Sequence, residues 1–395
     1  MRRYTVLRDL GRSVTGEPFG GTSGRFRAES MVDTPPAVRV DVEALDKRDV
    51  LTLARDPDVR GVAPVMPTKL IQPVDVDGGA EATNAWGIEA VGADRTVRTG
   101  SGVTVAVLDT GIDASHEAFA GVTLVQEDFS GSGNGDKAGH GTHCAGTVFG
   151  RDVQGTRIGV APGIERALIG KVLGDNGSGD SDMIFQGIHW AVTQGAQVIS
   201  MSLGFDFPGL VDQLVNQDGF PADLATSLAL EAYRANLRVF DSLMQLNTAQ
   251  EPFGRGAVVV AAAGNESRRN EDPDHEIAVS IPAAADGVVS VGALGETSGG
   301  WEVATFSNTF PQVSGPGVGI LSAKIGGGLT SLNGTSMATP HAAGVAALWW
   351  EELIANGLPA RATAVRAKLL ASAANAGFAA GVDVADRGLG IVQAP

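Results

Sequence analysis

The sequence predicts an α/β protein: a doubly wound, mainly parallel sheet with helices on both faces, preceded by a small α+β module. Two patterns and the composition carry that expectation. Apolar runs that do not alternate with polar residues recur at 103–108, 167–173, 198–203, 257–263, 288–293 and 318–322, as strands covered on both faces do. Helical patterns at 140–149, 182–193, 222–246 and 336–351 lie between several of these runs, and strand–helix alternation implies parallel strands joined by crossovers. The 395 residues suffice for one large domain and a smaller companion. With 54 glycines and 5% aromatic residues, the chain suits tight strand-to-helix turns around an aliphatic core.

Residues 1–34 mix Gly, Ser, Arg and Thr without clear periodicity and read as weakly structured. Val38, Val40 and Val42 then alternate with polar residues, as in a half-buried strand. Leu45, Val50, Leu51, Leu53 and Ala54 suggest a short amphipathic helix, and the run from Val59 a second strand. Residues 35–72 are therefore expected to form the small α+β module. Residues 73–85, with Asp77-Gly-Gly-Ala, read as a linker and a candidate processing region. The large domain is expected over 86–395, with an insertion at about 205–256.

The formal net charge is −16. An acidic surface disfavours nucleic acid and anionic lipid, so neither nucleic acid nor a membrane is an expected partner. The single cysteine, Cys144, excludes an intramolecular disulfide and a cysteine-based zinc site. The start, Met1-Arg-Arg-Tyr, carries positive charge but no following apolar run, so no signal peptide is expected. No stretch approaches the apolar length needed to span a bilayer. The expected compartment is the cytoplasm, with secretion the alternative if a signal has been removed from the chain.

In open parallel sheets, ligands gather beyond the carboxyl ends of the strands. Asp109 directly follows one expected strand, Ser202 closes another, and Asn265 follows a third. A carboxylate ending a buried strand needs partners, and backbone capping competes with catalysis as the role of Asp109. His140 opens Gly139-His-Gly-Thr-His-Cys-Ala-Gly, where small neighbours let other segments approach the imidazole. A purely structural histidine is the plainer alternative. His140 and His143 also have His-x-x-His spacing, but the glutamate of a zincin motif is missing and no third ligand stands out, so no metal ligand is expected. Ser336 begins a helix of small residues that tolerates Pro340 early. Its hydroxyl could serve as an N-cap, while the amides and positive dipole end also favour a developing oxyanion beside it.

Asp109-Thr-Gly, His140-Gly-Thr-His-Cys-Ala-Gly and Gly334-Thr-Ser-Met-Ala-Thr-Pro-His resemble, in order, the three signature motifs of subtilisin-like serine proteases, the subtilase family. The resemblance runs from Trp86 to about Val392. The order Asp, His, Ser is subtilisin's own, so the mechanism comes with the resemblance. It implies a subtilisin-like fold and a serine endopeptidase acting on polypeptides through an acyl-enzyme on Ser336. His140 would be the general base and acid, and Asp109 would orient it. Ala261-Ala-Ala-Gly-Asn265 resembles the segment whose asparagine serves the oxyanion hole, although alone a Gly–Asn pair reads as a turn. Gly177-Ser178-Gly179 and Ser202-Leu203-Gly204 resemble the two segments that flank substrate, and their glycines suit a peptide pairing as an added strand. This chemistry requires no cofactor. A structural calcium ion is compatible with the resemblance but is assigned no ligands, because the loop 151–157 offers few candidates.

By pattern and position, the 35–72 module resembles the family's inhibitory propeptide. It is expected to bind in cis, with its tail blocking the cleft until cut near 72–84, so that the enzyme is made as a self-processing zymogen. The 205–256 insertion lies between two substrate-flanking motifs and is expected either to border the cleft or to dock outside it. Its helical stretch places Leu224, Leu228, Leu237, Phe240 and Met244 on one face. Two other classes compete. A non-catalytic, protease-like binding module is disfavoured by the complete triad. An ester or lipid hydrolase is disfavoured by the missing Gly-x-Ser-x-Gly elbow.

Overall fold

A computed structural model describes residues 1–11, 37–74 and 85–395. At its centre is a sheet with the strand order Gly300–Val303, Val288–Thr297, Val258–Ala262, Val198–Met201, Thr104–Asp109, Arg166–Lys171, Thr123–Asp128. A further strand, Val313–Pro316, pairs with Val288–Thr297. Every pairing is parallel except that of Gly300–Val303. Side chains alternate across a strand, so a strand covered on both faces feeds two cores. Thr104–Asp109 does so: Val105 and Val107 enter one core, Ala106 and Leu108 the other. Helices His140–Phe149, Thr335–Ala355 and Ala362–Ala371 close the first core, and Ser181–Thr193 and Ala222–Ala249 close the second. This is the mixed α/β class, with helices on both faces of a mainly parallel sheet.

One expected sheet strand lies elsewhere. In place of a run at 318–322, Ile320–Ala323 pairs antiparallel with Leu329–Leu332 as a separate hairpin, and Val313–Pro316 takes the sheet position. That strand escapes an apolar-run search because it reads Val-Ser-Gly-Pro. Its small Gly315 lets Thr335–Ala355 pass close by: a Cβ there would lie 2.9 Å from Ala338 O.

The N-terminal residues also correct the expectation of a weakly structured 1–34. Arg2–Asp9 is the middle strand of a three-stranded antiparallel sheet, between Val38–Leu45 and Val59–Pro64. Thr5, Val6 and Leu7 are all buried, so no alternation betrays the strand. Its charges are absorbed by neighbours: Arg8 pairs with Asp41 at 2.5 Å and Glu43 at 2.7 Å, and Asp9 with Arg60 at 2.7 Å. The remainder of that stretch, 12–34, lies outside the described residues, as do 75–84 of the expected linker. The Lys47–Leu53 helix begins in a capping box, with Asp46 accepting from Arg48 N and Asp49 N and Asp49 accepting from Asp46 N.

This three-stranded sheet docks on the helices of the second core. Leu7, Ala63 and Met66 join that core, Asn236 Nδ2 donates to Pro64 O at 2.8 Å, and Arg3 reaches Asp180 and Asp182 at 2.7 Å each. The insertion forms Phe207–Asn216 and the whole 28-residue helix Ala222–Ala249. Of the expected face, Leu224 is 52% exposed, while Phe240 and Met244 are buried and share the buried stripe with Ala225, Ala229, Ala232, Val239 and Leu243. Among the described residues no helix is long and apolar enough to cross a membrane.

Candidate active site

Asp109 ends its central strand, and His140 opens the helix that follows the next strand, Thr123–Asp128. Both are buried, and His140 Nδ1 meets Asp109 Oδ1 at 2.8 Å. Asp109 Oδ1 also accepts from Thr110 N at 2.7 Å. Gly141 makes this approach feasible, because a Cβ there would lie 2.2 Å from Gly111 O and 3.2 Å from Asp109 Cβ. Burial alone would push the imidazole pKa down, but the adjacent Asp109 carboxylate outweighs it and holds the His140 pKa well above the usual value. An imidazole that gives one nitrogen to a carboxylate keeps the other available as a base. Here that nitrogen, Nε2, is buried without a hydrogen-bond partner among the described residues.

Ser336 lies in the first turn of Thr335–Ala355 and is fully buried. Pro340 is the sixth residue of that helix, not a first-turn one, so its missing N–H leaves the Ser336 carbonyl without the usual helical donor. Ser202 Oγ at 3.1 Å and Cys144 Sγ at 3.4 Å donate to that carbonyl instead. The proline thereby ties the serine's turn to the Ser202 strand end and to the His140 helix. Thr335 was not singled out in the sequence. Its N–H and Oγ1 donate to Asn265 Oδ1 at 2.9 and 2.8 Å, and its Oγ1 accepts from Gly264 N at 3.2 Å. These bonds fix the Asn265 amide with Nδ2 directed outward. The only sequence signal for Thr335 was its place in Gly334-Thr-Ser.

The cleft is occupied by the chain itself. Pro67–Leu70 runs antiparallel between Ser178–Asp180 and Leu203–Phe205, so Gly177, Ser178, Gly179, Leu203 and Gly204 border this one strand, while Ser202 touches Ser336. Thr68 faces Gly179, Lys69 faces Ser178 and Gly204, and Leu70 faces Leu203 while donating to Gly177 O at 2.8 Å. Gly179 permits this close passage, since a Cβ there would lie 2.5 Å from Val172 O and 3.0 Å from Thr68 Oγ1. Beyond the strand, Ile71 O accepts from Ser336 Oγ at 3.1 Å, and Gln72 O accepts from Asn265 Nδ2 at 2.9 Å. Val74 is held on both sides, donating to Asn333 O at 2.9 Å and accepting from Asn333 Nδ2 at 2.8 Å.

His143 does not join His140 in a metal pair. Its Nε2 lies 2.9 Å from Ile320 O, and burial lowers its pKa to about 3. Asp109, His140 and Cys144 do bring one donor atom each within 4.8 Å of one another. However, burial pushes the Cys144 thiol pKa up, which disfavours the thiolate a metal would need.

The model of the Subtilase family matches residues 100–390. Among curated relatives, Subtilisin DY of Bacillus licheniformis is 34% identical over 303 residues, 75% of this chain and 93% of the relative. The Thermostable alkaline protease of Halalkalibacterium halodurans is 33% identical over 312 residues, 77% of this chain and 70% of the relative. The Intracellular serine protease of Paenibacillus polymyxa is 34% identical over 255 residues, 63% of this chain and 67% of the relative. With an Asp–His pair, a helix-borne serine and an amide aimed into one cleft, and with this extent of similarity, the chain belongs to the subtilase family and is a serine endopeptidase.

Proposed function

We propose that peptide bonds are cut through an acyl-enzyme on Ser336. The serine Oγ adds to the substrate carbonyl carbon while His140 Nε2 takes its proton. Asp109, bonded to Nδ1, fixes the imidazole's orientation and favours its positive form. The carbonyl oxygen, now negative, is received by Asn265 Nδ2 and by the Ser336 N–H, a first-turn amide without an intrahelical acceptor. His140 returns the proton to the leaving amine, and water then frees the acyl group by the reverse proton path. Side chains, one backbone amide and a water molecule supply every group in this sequence, so the reading needs no cofactor.

The chain is further read as a zymogen inhibited in cis by residues 67–74. The observation that carries this is the placement of the Ile71 carbonyl at Ser336 by a strand paired on both edges. Substrate would occupy the same place, with Gly177–Gly179 and Ser202–Gly204 as its flanking edges. The segment is not aligned for its own cleavage. Ser336 Oγ donates to Ile71 O rather than to His140, and Asn265 holds the next carbonyl, Gln72 O. Residues 1–72 then act as an inhibitory module until a cut near 72–84 releases them. A cytoplasmic location is supported by the Paenibacillus polymyxa relative, whose name is Intracellular serine protease.

Labelling with a fluorophosphonate, followed by peptide mapping, tests the nucleophile. The reading predicts one adduct, on the Ser336 peptide, absent from Ser336→Ala. An adduct elsewhere, or equal labelling of the variant, would contradict it.

A further inference from the structure

The cleft strand carries one charged side chain, Lys69. Its backbone is held by Ser178 on one edge and Gly204 on the other. Its Nζ lies 3.1 Å from Asp206 Oδ1, with the two side chains 39% and 26% exposed. Among the described residues, Asp206 is the one acidic group within ion-pair distance of this lysine.

Asp206 is held by the protease rather than by the lysine. Its backbone N donates to Pro67 O at 2.9 Å, extending the edge along which the strand runs. Its carboxylate caps the Phe207–Asn216 helix, accepting from Gly209 N at 3.2 Å. Gly209 leaves room for that carboxylate, as a Cβ there would lie 2.1 Å from Asp206 Oδ2. The position is the start of the insertion, so the insertion contributes a fixed negative charge to the cleft wall.

We infer that Asp206 is a specificity-determining residue, which selects lysine or arginine as the third residue upstream of the cut bond. The position follows from the register: with the Ile71 carbonyl at Ser336, Ile71 is the first residue upstream, Leu70 the second and Lys69 the third. The inference rests on the reading that residues 67–71 lie as substrate does. The substrate class is then polypeptides with a basic side chain two residues before the residue that acylates Ser336. The net charge of −16 adds a long-range attraction for such cationic segments. Partial exposure keeps the preference modest, about two- to fivefold over a neutral side chain of similar length, and added salt weakens it.

The test uses internally quenched peptides Thr-Xaa-Leu-Ile-Ala-Ala with Xaa as Lys, Met or Glu. Each is given to protein that was purified full-length and incubated until its peptidase rate has become constant, and the cut is mapped by mass spectrometry. Wild type should cut after Ile and favour Lys over Met by about two- to fivefold, with Glu the poorest. Asp206→Asn, which keeps the helix cap, should bring the Lys-to-Met ratio close to one. Asp206→Lys should favour Glu over Lys. Because each ratio is taken within one enzyme, a general loss of activity in a variant cancels. A cut after Ile with no lysine preference, or with a preference that survives Asp206→Asn, overturns this inference alone. A cut at another bond overturns the underlying register as well.

Discussion

Asn265 donates to the carbonyl oxygen of Gln72 at 2.9 Å. That carbonyl is one residue beyond Ile71, whose oxygen faces Ser336 Oγ at 3.1 Å. On the proposed reading, the amide that would receive the oxyanion of the bond at Ser336 is engaged by the neighbouring carbonyl, so the segment would occupy the cleft without presenting a reactive geometry. In a productive complex the same amide would meet the oxyanion. Asn265→Ala should therefore lower kcat by about 10²–10³-fold with little change in KM, the size of loss measured on subtilisin itself, a member of this family. Steady-state kinetics on a peptide substrate check this; an unchanged kcat removes Asn265 from the scheme.

Thr335 acts through Asn265. Replacing Thr335 by Val keeps the shape but removes the Oγ1 bonds to Asn265 Oδ1 and Gly264 N. The amide is then less firmly aimed, and kcat should fall by about tenfold, the scale of one neutral hydrogen bond. Thr335→Ser should restore most of the rate. Loss of folded protein in Thr335→Val, seen by circular dichroism, would instead mark the bonds as structural.

The pH profile should report His140. The imidazole accepts a proton only when neutral, and Asp109 holds its pKa well above the ordinary value against the effect of burial. Activity is therefore lost as pH falls through that raised pKa and recovered as pH rises. Asp109→Asn removes the charge that raises the pKa. Its acid limb in kcat/KM should move to lower pH, while the plateau drops by about 10⁴-fold as in other serine-protease triads. An acid limb that stays in place would separate the pKa from the carboxylate.

Stability should show the opposite kind of histidine. Burial lowers the pKa of His143 to about 3 and that of His341 to about 4, from 6.5. Below 6.5 the unfolded chain takes up protons at these sites that the folded chain refuses, so stability falls as pH falls. Each contributes a slope of about 1.4 kcal/mol per pH unit between its folded and unfolded pKa. Calorimetry of Ser336→Ala, which removes the proposed nucleophile, should show Tm declining from pH 6 to 4. His143→Gln, which can still donate to Ile320 O, should decline less steeply. Parallel declines would exclude His143.

Much of the central sheet was legible because its strands are long apolar runs: Thr104–Asp109 and Val258–Ala262 coincide closely with the runs at 103–108 and 257–263. Val313–Pro316 was hidden by serine, glycine and proline, and Arg2–Asp9 by charges whose partners come from two other strands. Asp109, His140, Ser336 and Asn265 could be named from three short motifs and one strand end, and the fold brings them to one cleft. That a tail would enter the cleft came only with the resemblance, and the register of Lys69–Gln72 there could not be read, because nothing local to those residues specifies a partner over a hundred residues away. The role of Thr335 in orienting Asn265 is equally non-local.

The most direct test of self-inhibition is the intact mass of the full-length protein followed over time, in wild type and in Ser336→Ala, alongside peptidase activity. The account predicts that wild type loses its N-terminal module by a cut near 72–84 and that activity rises in step, while the variant stays intact and inactive. Truncation of purified Ser336→Ala at the same rate, or full activity of an uncut wild-type chain, would contradict it.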